Sequence, residues 1–399
     1  MKVENKDIVF LSGVRTPFGS FGGSLKDHSA TDLGVVAAKG AIDKAGIEAS
    51  DVDHVIFGNA LQTSADALYL ARHVGLRAGV PQEVGGLTVN RLCGSGFQSI
   101  VNGAEQILLG QGKVMLCGGT ESMSQAPFTA RNIRWGVRFG KADKLGDSLW
   151  DALYDPFGGC AMGQTAENVG AKYGVTRAEA DEYGYRSQMA YKAALEAGKF
   201  ADEIVPVTVK RRREEVPFSD DECPRLDATL EKMNKLPSVF QKDGLVSAGN
   251  ASAITDGGAA VVLADGAWAA DRGLKPLGKL IGWGISGCDP SIMGIGPVPA
   301  SRKALADTGM TIDQMDLVEV NEAFAPQYLA VEKELGLNRD ITNVNGGAIS
   351  VGHPLAASGT RITLHLLHEL RRQGKRYGLG TACIGGGQGI TVIVEANLE

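Results

Sequence analysis

Two cysteines stand in glycine-rich turns, and each is a candidate for thiol chemistry. The first is Cys93, in Asn90-Arg91-Leu92-Cys93-Gly94-Ser95-Gly96. The second is Cys383, in Gly380-Thr381-Ala382-Cys383-Ile384-Gly385-Gly386-Gly387. A lone cysteine is ordinarily a small core residue. Neighbouring glycines change that reading, because they let a backbone approach a ligand and aim N–H groups at it. An apolar run, Gly86-Leu87-Thr88-Val89, precedes Cys93, and a long helical pattern follows it. This order predicts strand, tight turn and helix, with Cys93 at the helix N-terminus. There the partial positive charge and free N–H groups favour a thiolate, the nucleophilic form. An imidazole stands in a comparable turn, Gly352-His353-Pro354.

The elements that must position these groups occur twice. Residues 39–59 predict a helix, a glycine stop and a short apolar strand ending at Gly58-Asn59. The same order returns 263 residues later and ends at Asn321-Glu322. That offset also carries Ser95-Gly96 onto Ser358-Gly359, and Val114-Met115-Leu116 onto Tyr377-Gly378-Leu379. One constant offset over about 80 residues implies a duplicated unit of alternating helices and strands, hence stacked α/β layers. Cys93 lies two residues before the first Ser-Gly, and His353 five before the second. Asn321 ends one repeated strand and Cys383 follows another. Loops at equivalent strand ends of two pseudo-symmetric halves would converge on one site.

The composition sets outer bounds. At 399 residues the chain holds two or three domains' worth of core. Apolar content of 44% and charge of 22% are ordinary for a globular protein. Gly is abundant at 54 residues but Pro is only 14, which points to tight turns rather than disorder. The net charge of −6 argues against a nucleic-acid or membrane surface, though local basic residues can still bind an anionic small molecule. Six cysteines with no CxxC pair suggest reduced thiols rather than disulfides or a zinc site. With no apolar span of about 20 residues and no leader pattern, the expected location is cytoplasmic. The middle of the chain breaks the repeat, and its run Lys210 to Arg213, followed by Glu214 and Glu215, reads as a solvated face. The expected division is therefore a first half over 1–121 plus 250–272, an inserted segment over 122–249, and a second half over 273–399.

Together these segments resemble the thiolases, acetyl-CoA C-acyltransferases, over essentially the whole chain. The resemblance is carried by Asn90 to Gly96, by Cys117-Gly118-Gly119-Thr120-Glu121-Ser122-Met123-Ser124 and by Asn321-Glu322-Ala323-Phe324-Ala325. Gly352-His353-Pro354 and Cys383-Ile384-Gly385-Gly386-Gly387 complete it. Ser291-Ile292-Met293-Gly294-Ile295-Gly296-Pro297-Val298-Pro299 and Asn321 to Leu329 look most like the 3-ketoacyl-CoA thiolases. The fold implied is α/β, with duplicated halves in five layers, α-β-α-β-α.

The chemistry implied is reversible cleavage of a 3-ketoacyl-CoA by coenzyme A. Cys93 would accept the acyl group and His353 would take its proton. Cys383 would protonate or deprotonate the α-carbon of acetyl-CoA. In the family's pattern Asn321 fixes a water that forms one oxyanion site with His353. The N–H groups of Cys93 and Gly385 form another, and one such donor is typically worth ~3 kcal/mol. Leu153, Met162, Arg225, Phe240, Ala248, Ser252, Ala323 and Phe324 would line the coenzyme cleft, with Arg225 at the nucleotide and Ser252 at the pantetheine amide. Coenzyme A is then a substrate, no metal or bound cofactor is needed, and a homotetramer is expected.

Two positions depart from the pattern. Ala161 stands where thiolases specific for acetoacetyl-CoA often carry histidine, which favours a broader chain range. Ala356 replaces the usual glycine after His-Pro-x, which puts the geometry of the His353 loop in question. Glu322 reads equally as a catalytic group or one partner of a structural ion pair. The rival readings are an acetoacetyl-CoA-specific acetyltransferase, a 3-ketoacyl synthase and a non-catalytic scaffold. Synthases typically carry histidine near the position of Asn321 and lack the second cysteine.

Overall fold

Strand β1 (Ile8–Arg15) is buried along its whole length, so it needs cover on both faces. A computed structural model, which describes residues 6–141 and 144–398, supplies that cover in two matched halves. The first half continues through α1 (Ala30–Ala45), β2 (His54–Gly58), α2 (Leu70–Arg77), β3 (Gly85–Val89), α3 (Ser95–Leu108) and β4 (Val114–Glu121). Helices α4 (Met162–Lys172) and α5 (Arg177–Glu196) follow, and then β5 (Thr255–Asp265). The second half runs β6 (Gly278–Gly287), α6 (Pro297–Thr308), β7 (Leu317–Val320), α7 (Ala325–Leu335), α8 (Leu355–Gln373), β8 (Tyr377–Ile384) and β9 (Gln388–Ala396). Local signals set several ends. Ser29 and Asp32 form a capping box on α1, and left-handed Gly46 stops it.

The strands line up in the order β7-β8-β9-β6-β1-β5-β4-β2-β3. The run β6-β9-β8-β7 repeats β1-β5-β4-β2. Residues 114 to 121 of β4 map at the 263-residue offset onto the whole of β8, residues 377 to 384. The two half-sheets are not separate. They join through a short antiparallel pairing of β1 with β6, Ile8 to Phe10 against Leu280 to Gly278.

Three apolar clusters define the layers. The central one surrounds α3 and α8 with strand residues of both halves, including Phe97, Ile100, Ile362, Leu366, Met115, Leu263, Ile384 and Val392. The second packs α1 and α2 on the outer face of β1, β2, β4 and β5, with Val35, Ala38, Leu70, Phe57 and Val262. The third packs α6 and α7 outside β7, β8 and β9, with Val298, Leu305, Tyr328, Val320, Leu379 and Ile393. The result is the expected five layers, helix, sheet, helix, sheet, helix.

The two Ser-Gly pairs are where the central helices cross. A methyl on Gly96 would lie 2.6 Å from both the Ala356 carbonyl and the Thr360 N–H, and one on Gly359 would strike the Phe97 N–H. A methyl on Gly94 would lie 2.5 Å from Ile384. These glycines therefore serve close packing of the halves. This corrects the expectation that those beside Cys93 are there for a ligand.

The turn Gly385-Gly386-Gly387 joins β8 to β9, whereas residues 122–254 join the equivalent strands β4 and β5. Buried Arg15 ties this long connection to β1. Its Nε donates to Glu203 at 2.9 Å and its two Nη atoms donate to Asp221 at 2.7 and 2.9 Å. Such a pairing is required, because an unpaired buried charge is strongly destabilising. The basic run forms an exposed hairpin in which Lys210 and Arg211 face Glu215 and Glu214. No helix among the described residues is long and apolar enough to cross a membrane.

Candidate active site

Cys93 sits in a single tight turn, Leu92–Gly94, that feeds directly into α3. Leu92 holds a left-handed backbone at φ 47°, which costs a non-glycine residue of order 1–3 kcal/mol. Hydrogen bonds hold it there. Asn90 Oδ1 accepts the Leu92 N–H at 2.9 Å, and Ser95 Oγ accepts the Arg91 N–H at 2.8 Å and donates to the Leu92 carbonyl at 2.7 Å. Arg91 then reaches across to Gln388 Oε1 at 2.8 Å, beside the glycine turn of the second half.

The thiol is not a resting thiolate. Burial pushes Cys93 up to about 11 despite two N–H groups directed at its sulfur, those of Gly385 and of Cys93 itself. The negative charge of Glu121 pushes it further the same way. The helix N-terminus alone thus does not ionise this cysteine, because desolvation outweighs it.

His353 is buried and neutral; desolvation, with help from Arg361, holds it down to about 3. Its tautomer follows from its neighbours. Ser358 Oγ donates its proton to the Pro354 carbonyl at 3.1 Å, so it must accept from His353 Nδ1 at 2.6 Å. Nε2 is left as the basic nitrogen, with Asn321 Nδ2 donating to it at 3.3 Å. Asn321 Oδ1 is buried without a hydrogen-bond partner, as a group that receives a water or ligand proton would be.

Ser358, the partner of His353, was marked by sequence only as a helix start. The duplication placed it on α8, but nothing in its type announced this role. Ala356 lies fully buried in the first turn of right-handed α8, where alanine needs no special backbone.

Cys93 and His353 share a cavity of about 350 Å³. Leu153, Met162, Phe240, Ala248, Ser252, Ala323 and Phe324 line it, as the resemblance implies. Phe240 and Phe324 meet edge to face at 6.3 Å. Met123, Met293 and Leu355 also line it and were missed, since an apolar side chain carries no signal apart from its place in the fold. Cys383 is fully buried and packs among Met162, Met293, Ala323 and Phe324. Burial raises its pKa well above the usual thiol range, and the nearby Cys93 and Cys288 raise it further. Arg225 lies outside this cavity. It lines a neighbouring groove of about 330 Å³ with Asp227 and Lys232, and Ala248 is common to both spaces.

Glu322 is neither catalytic in its geometry nor half of an ion pair. It accepts four hydrogen bonds, from Tyr183 Oη, Ser187 Oγ, Asn343 Nδ2 and the Ile349 N–H, at 2.7 to 3.1 Å. It anchors the loop that carries Asn321. All six cysteines are free thiols. No cluster of His, Cys, Asp and Glu among the described residues is placed to hold a metal.

Such a fold, with a half-buried thiol, a buried neutral imidazole and a second, buried thiol around one apolar cavity, has the form of a cysteine-dependent acyl-transfer site. The chain belongs to the thiolase family: the thiolase N-terminal domain matches residues 8–267 and the C-terminal domain residues 274–396. It is 54% identical to the human protein named 3-ketoacyl-CoA thiolase, mitochondrial, over 98% of each chain. It is 46% identical to an acetyl-CoA acetyltransferase of Syntrophomonas wolfei, over 98% of this chain and 99% of that one. The crystal structure of the human mitochondrial 3-ketoacyl-CoA thiolase in complex with CoA matches with a TM-score of 0.96 at 54% identity, covering 98% of each chain.

The cytoplasmic expectation is overturned by these relatives, since the human, bovine and mouse proteins are all named mitochondrial. Compartment is not a property of the folded core, so composition was a poor guide to it.

Proposed function

We propose that this chain catalyses the reversible, CoA-dependent cleavage of 3-ketoacyl-CoA to acetyl-CoA and a shortened acyl-CoA. The observation that carries this reading is one apolar cavity bounded by Cys93 and His353, with Cys383 packed among its lining residues. His353 Nε2 takes the Cys93 proton as the sulfur attacks the 3-keto carbon. The N–H groups of Cys93 and Gly385 hold the resulting oxyanion. The bond between C2 and C3 breaks, and its electron pair forms the enolate of acetyl-CoA. Asn321 and His353 stabilise that enolate, with a water on Asn321 Oδ1, and Cys383 protonates its carbon. The Cys383 thiolate then takes the proton of the free CoA thiol as that sulfur attacks the acyl-Cys93 thioester; the Cys93–acyl bond breaks, His353 Nε2 returns its proton to the Cys93 sulfur, and the shortened acyl-CoA leaves.

The nucleotide end of CoA lies toward Arg225 and Lys232, because Ala248 links their groove to the cavity. The halves and the inserted segment keep the division given above, with the segment walling the coenzyme cleft through Leu153, Met162, Phe240 and Ala248.

Ala161, small and next to Met162, favours a broad chain range. Thiolysis of acetoacetyl-CoA and of a medium-chain 3-ketoacyl-CoA should therefore proceed with comparable kcat/KM, or better for the longer substrate. Turnover of acetoacetyl-CoA alone would identify a specific acetyltransferase instead.

The assembly is a homotetramer in this reading. Two features support it: the outermost strand β3 exposes Leu87, and residues 128–157 expose Phe128, Trp135, Phe139 and Phe157 to solvent. Open edges and large apolar patches ordinarily mark protein contacts. Light scattering should give four times the mass of the chain, and a monomer at micromolar concentration would refute this.

A further inference from the structure

The motif Gly118-Gly119-Thr120-Glu121-Ser122-Met123-Ser124 supplies no reacting group to the chemistry above, yet it ends β4 beside the site. Its glutamate is fully buried and has no cationic partner. Both carboxylate oxygens are instead saturated by N–H donors from two different places.

The first place is the loop after β2. Asn59 Nδ2 and the Leu61 N–H donate to Glu121 Oε1 at 3.0 and 2.9 Å, and the Ala60 N–H donates to Oε2 at 3.1 Å. That loop holds the nucleophile turn, because Asn90 Nδ2 donates to the Ala60 carbonyl at 3.1 Å while Asn90 Oδ1 accepts the Leu92 N–H. The second place is the start of α8, where the Ala356 N–H donates to Oε2 at 3.1 Å. Helix α8 has no side-chain cap of its own, its cap position being Pro354. A carboxylate there satisfies an orphan N–H and lies at the positive end of the helix. The same first turn carries Ser358, which orients His353.

One carboxylate thus fastens the Cys93 turn and the His353 helix to a common point. We infer that Glu121 is the positioning residue that sets Cys93 and His353 in register for acyl transfer, acting through Ala60 and Asn90 on one side and Ala356 on the other. This rests on the reading of Cys93 as acyl acceptor.

The ionised form is what the arrangement requires, since a protonated oxygen would aim a donor at donors. Burial pushes Glu121 up to about 7, and Asp256 raises it further, against the lowering effect of its N–H partners. The titratable groups facing it are Asp256 on β5 and Cys93 on the turn. Acylation should therefore slow as pH falls below about 7, a range in which neither Cys93 nor His353 changes charge.

The test is acylation of the full-length enzyme by acetyl-CoA, followed by mass spectrometry and rapid quench across pH 5.5–8.5. Glu121→Gln keeps the shape but places an amide N–H against N–H donors. It should slow acylation roughly 10–100-fold at pH 8, with KM nearly unchanged, as a small misplacement of reacting groups does. It should also abolish the acid limb seen in the wild type. Asn90→Ala, on the surface, should slow acylation severalfold and be strongly non-additive with Glu121→Gln. Wild-type acylation rate and pH profile in Glu121→Gln would overturn the inference. If that variant does not fold, unchanged acylation in Asn90→Ala overturns it alone. Absence of any acyl group on Cys93 in the wild type would instead sink the proposed function itself.

Discussion

Cys93→Ala is expected to reduce thiolysis of every 3-ketoacyl-CoA by about 10⁴-fold or more, as loss of a covalent nucleophile does. Alanine fits the turn, so the fold and the cavity stay intact. The N–H groups of Cys93 and Gly385 also stay, and so does the apolar wall made by Met123, Leu355 and Phe324. What is lost is the atom that accepts the acyl group, and water has no comparable path to it. The effect should fall on kcat, with CoA affinity within about threefold, because the coenzyme contacts lie elsewhere. Mass spectrometry should show an acyl adduct on the wild type and none on the variant. Residual turnover above roughly one per cent, with a normal acyl adduct elsewhere, would remove Cys93 from the mechanism.

The pH behaviour of this step follows from the resting charges. Cys93 is a thiol up to about 11 and His353 is neutral above about 3. Across the physiological range the pair therefore carries no net charge, and the proton moves only as the sulfur attacks.

Cys383→Ala is expected to separate two reactions that use the same nucleophile. Burial, together with Cys93 and Cys288, keeps Cys383 protonated at neutral pH. It therefore stands ready as an acid toward the acetyl-CoA enolate. Removing it should slow cleavage of the C2–C3 bond by about 10²–10⁴-fold, the usual range for a general acid. Transfer of an acetyl group from acetyl-CoA to Cys93 makes no carbanion and should stay within about fivefold of wild type. Radiolabelled acetyl-CoA measures the second rate and absorbance of the 3-ketoacyl-CoA enolate the first. Equal loss of both rates would assign Cys383 a packing role among Met293 and Ala323 instead.

Much of this protein is legible along the chain because duplication writes it twice. The 263-residue offset located β4 against β8 and the Ser-Gly pairs of α3 and α8. A repeated helix and strand pattern can bury both faces of its sheets only by stacking in layers. The proposed reactive residues stood out for a different reason. Cys93, His353, Asn321 and Cys383 each stand in a short turn whose neighbours are small or rigid, and such turns sit at strand ends. Compartment was misread, because nothing in the composition of a folded core records where it works.

Side-chain type and spacing, with the duplication, pointed to the fold class and marked the two cysteines and the histidine as candidates for the chemistry, while the family resemblance supplied the candidate coenzyme-facing residues. Tertiary structure alone decided their charge states. Proximity to a helix N-terminus argues for a thiolate, but desolvation is a property of everything packed around the sulfur and it prevails. Tertiary structure also decided that Gly96 and Gly359 serve the helix crossing and Gly94 the contact with Ile384, that Ser358 sets the His353 tautomer, and that Arg225 opens onto a neighbouring groove. Each depends on residues far apart in the chain meeting at hydrogen-bonding or van der Waals distance, and no local pattern encodes such a meeting.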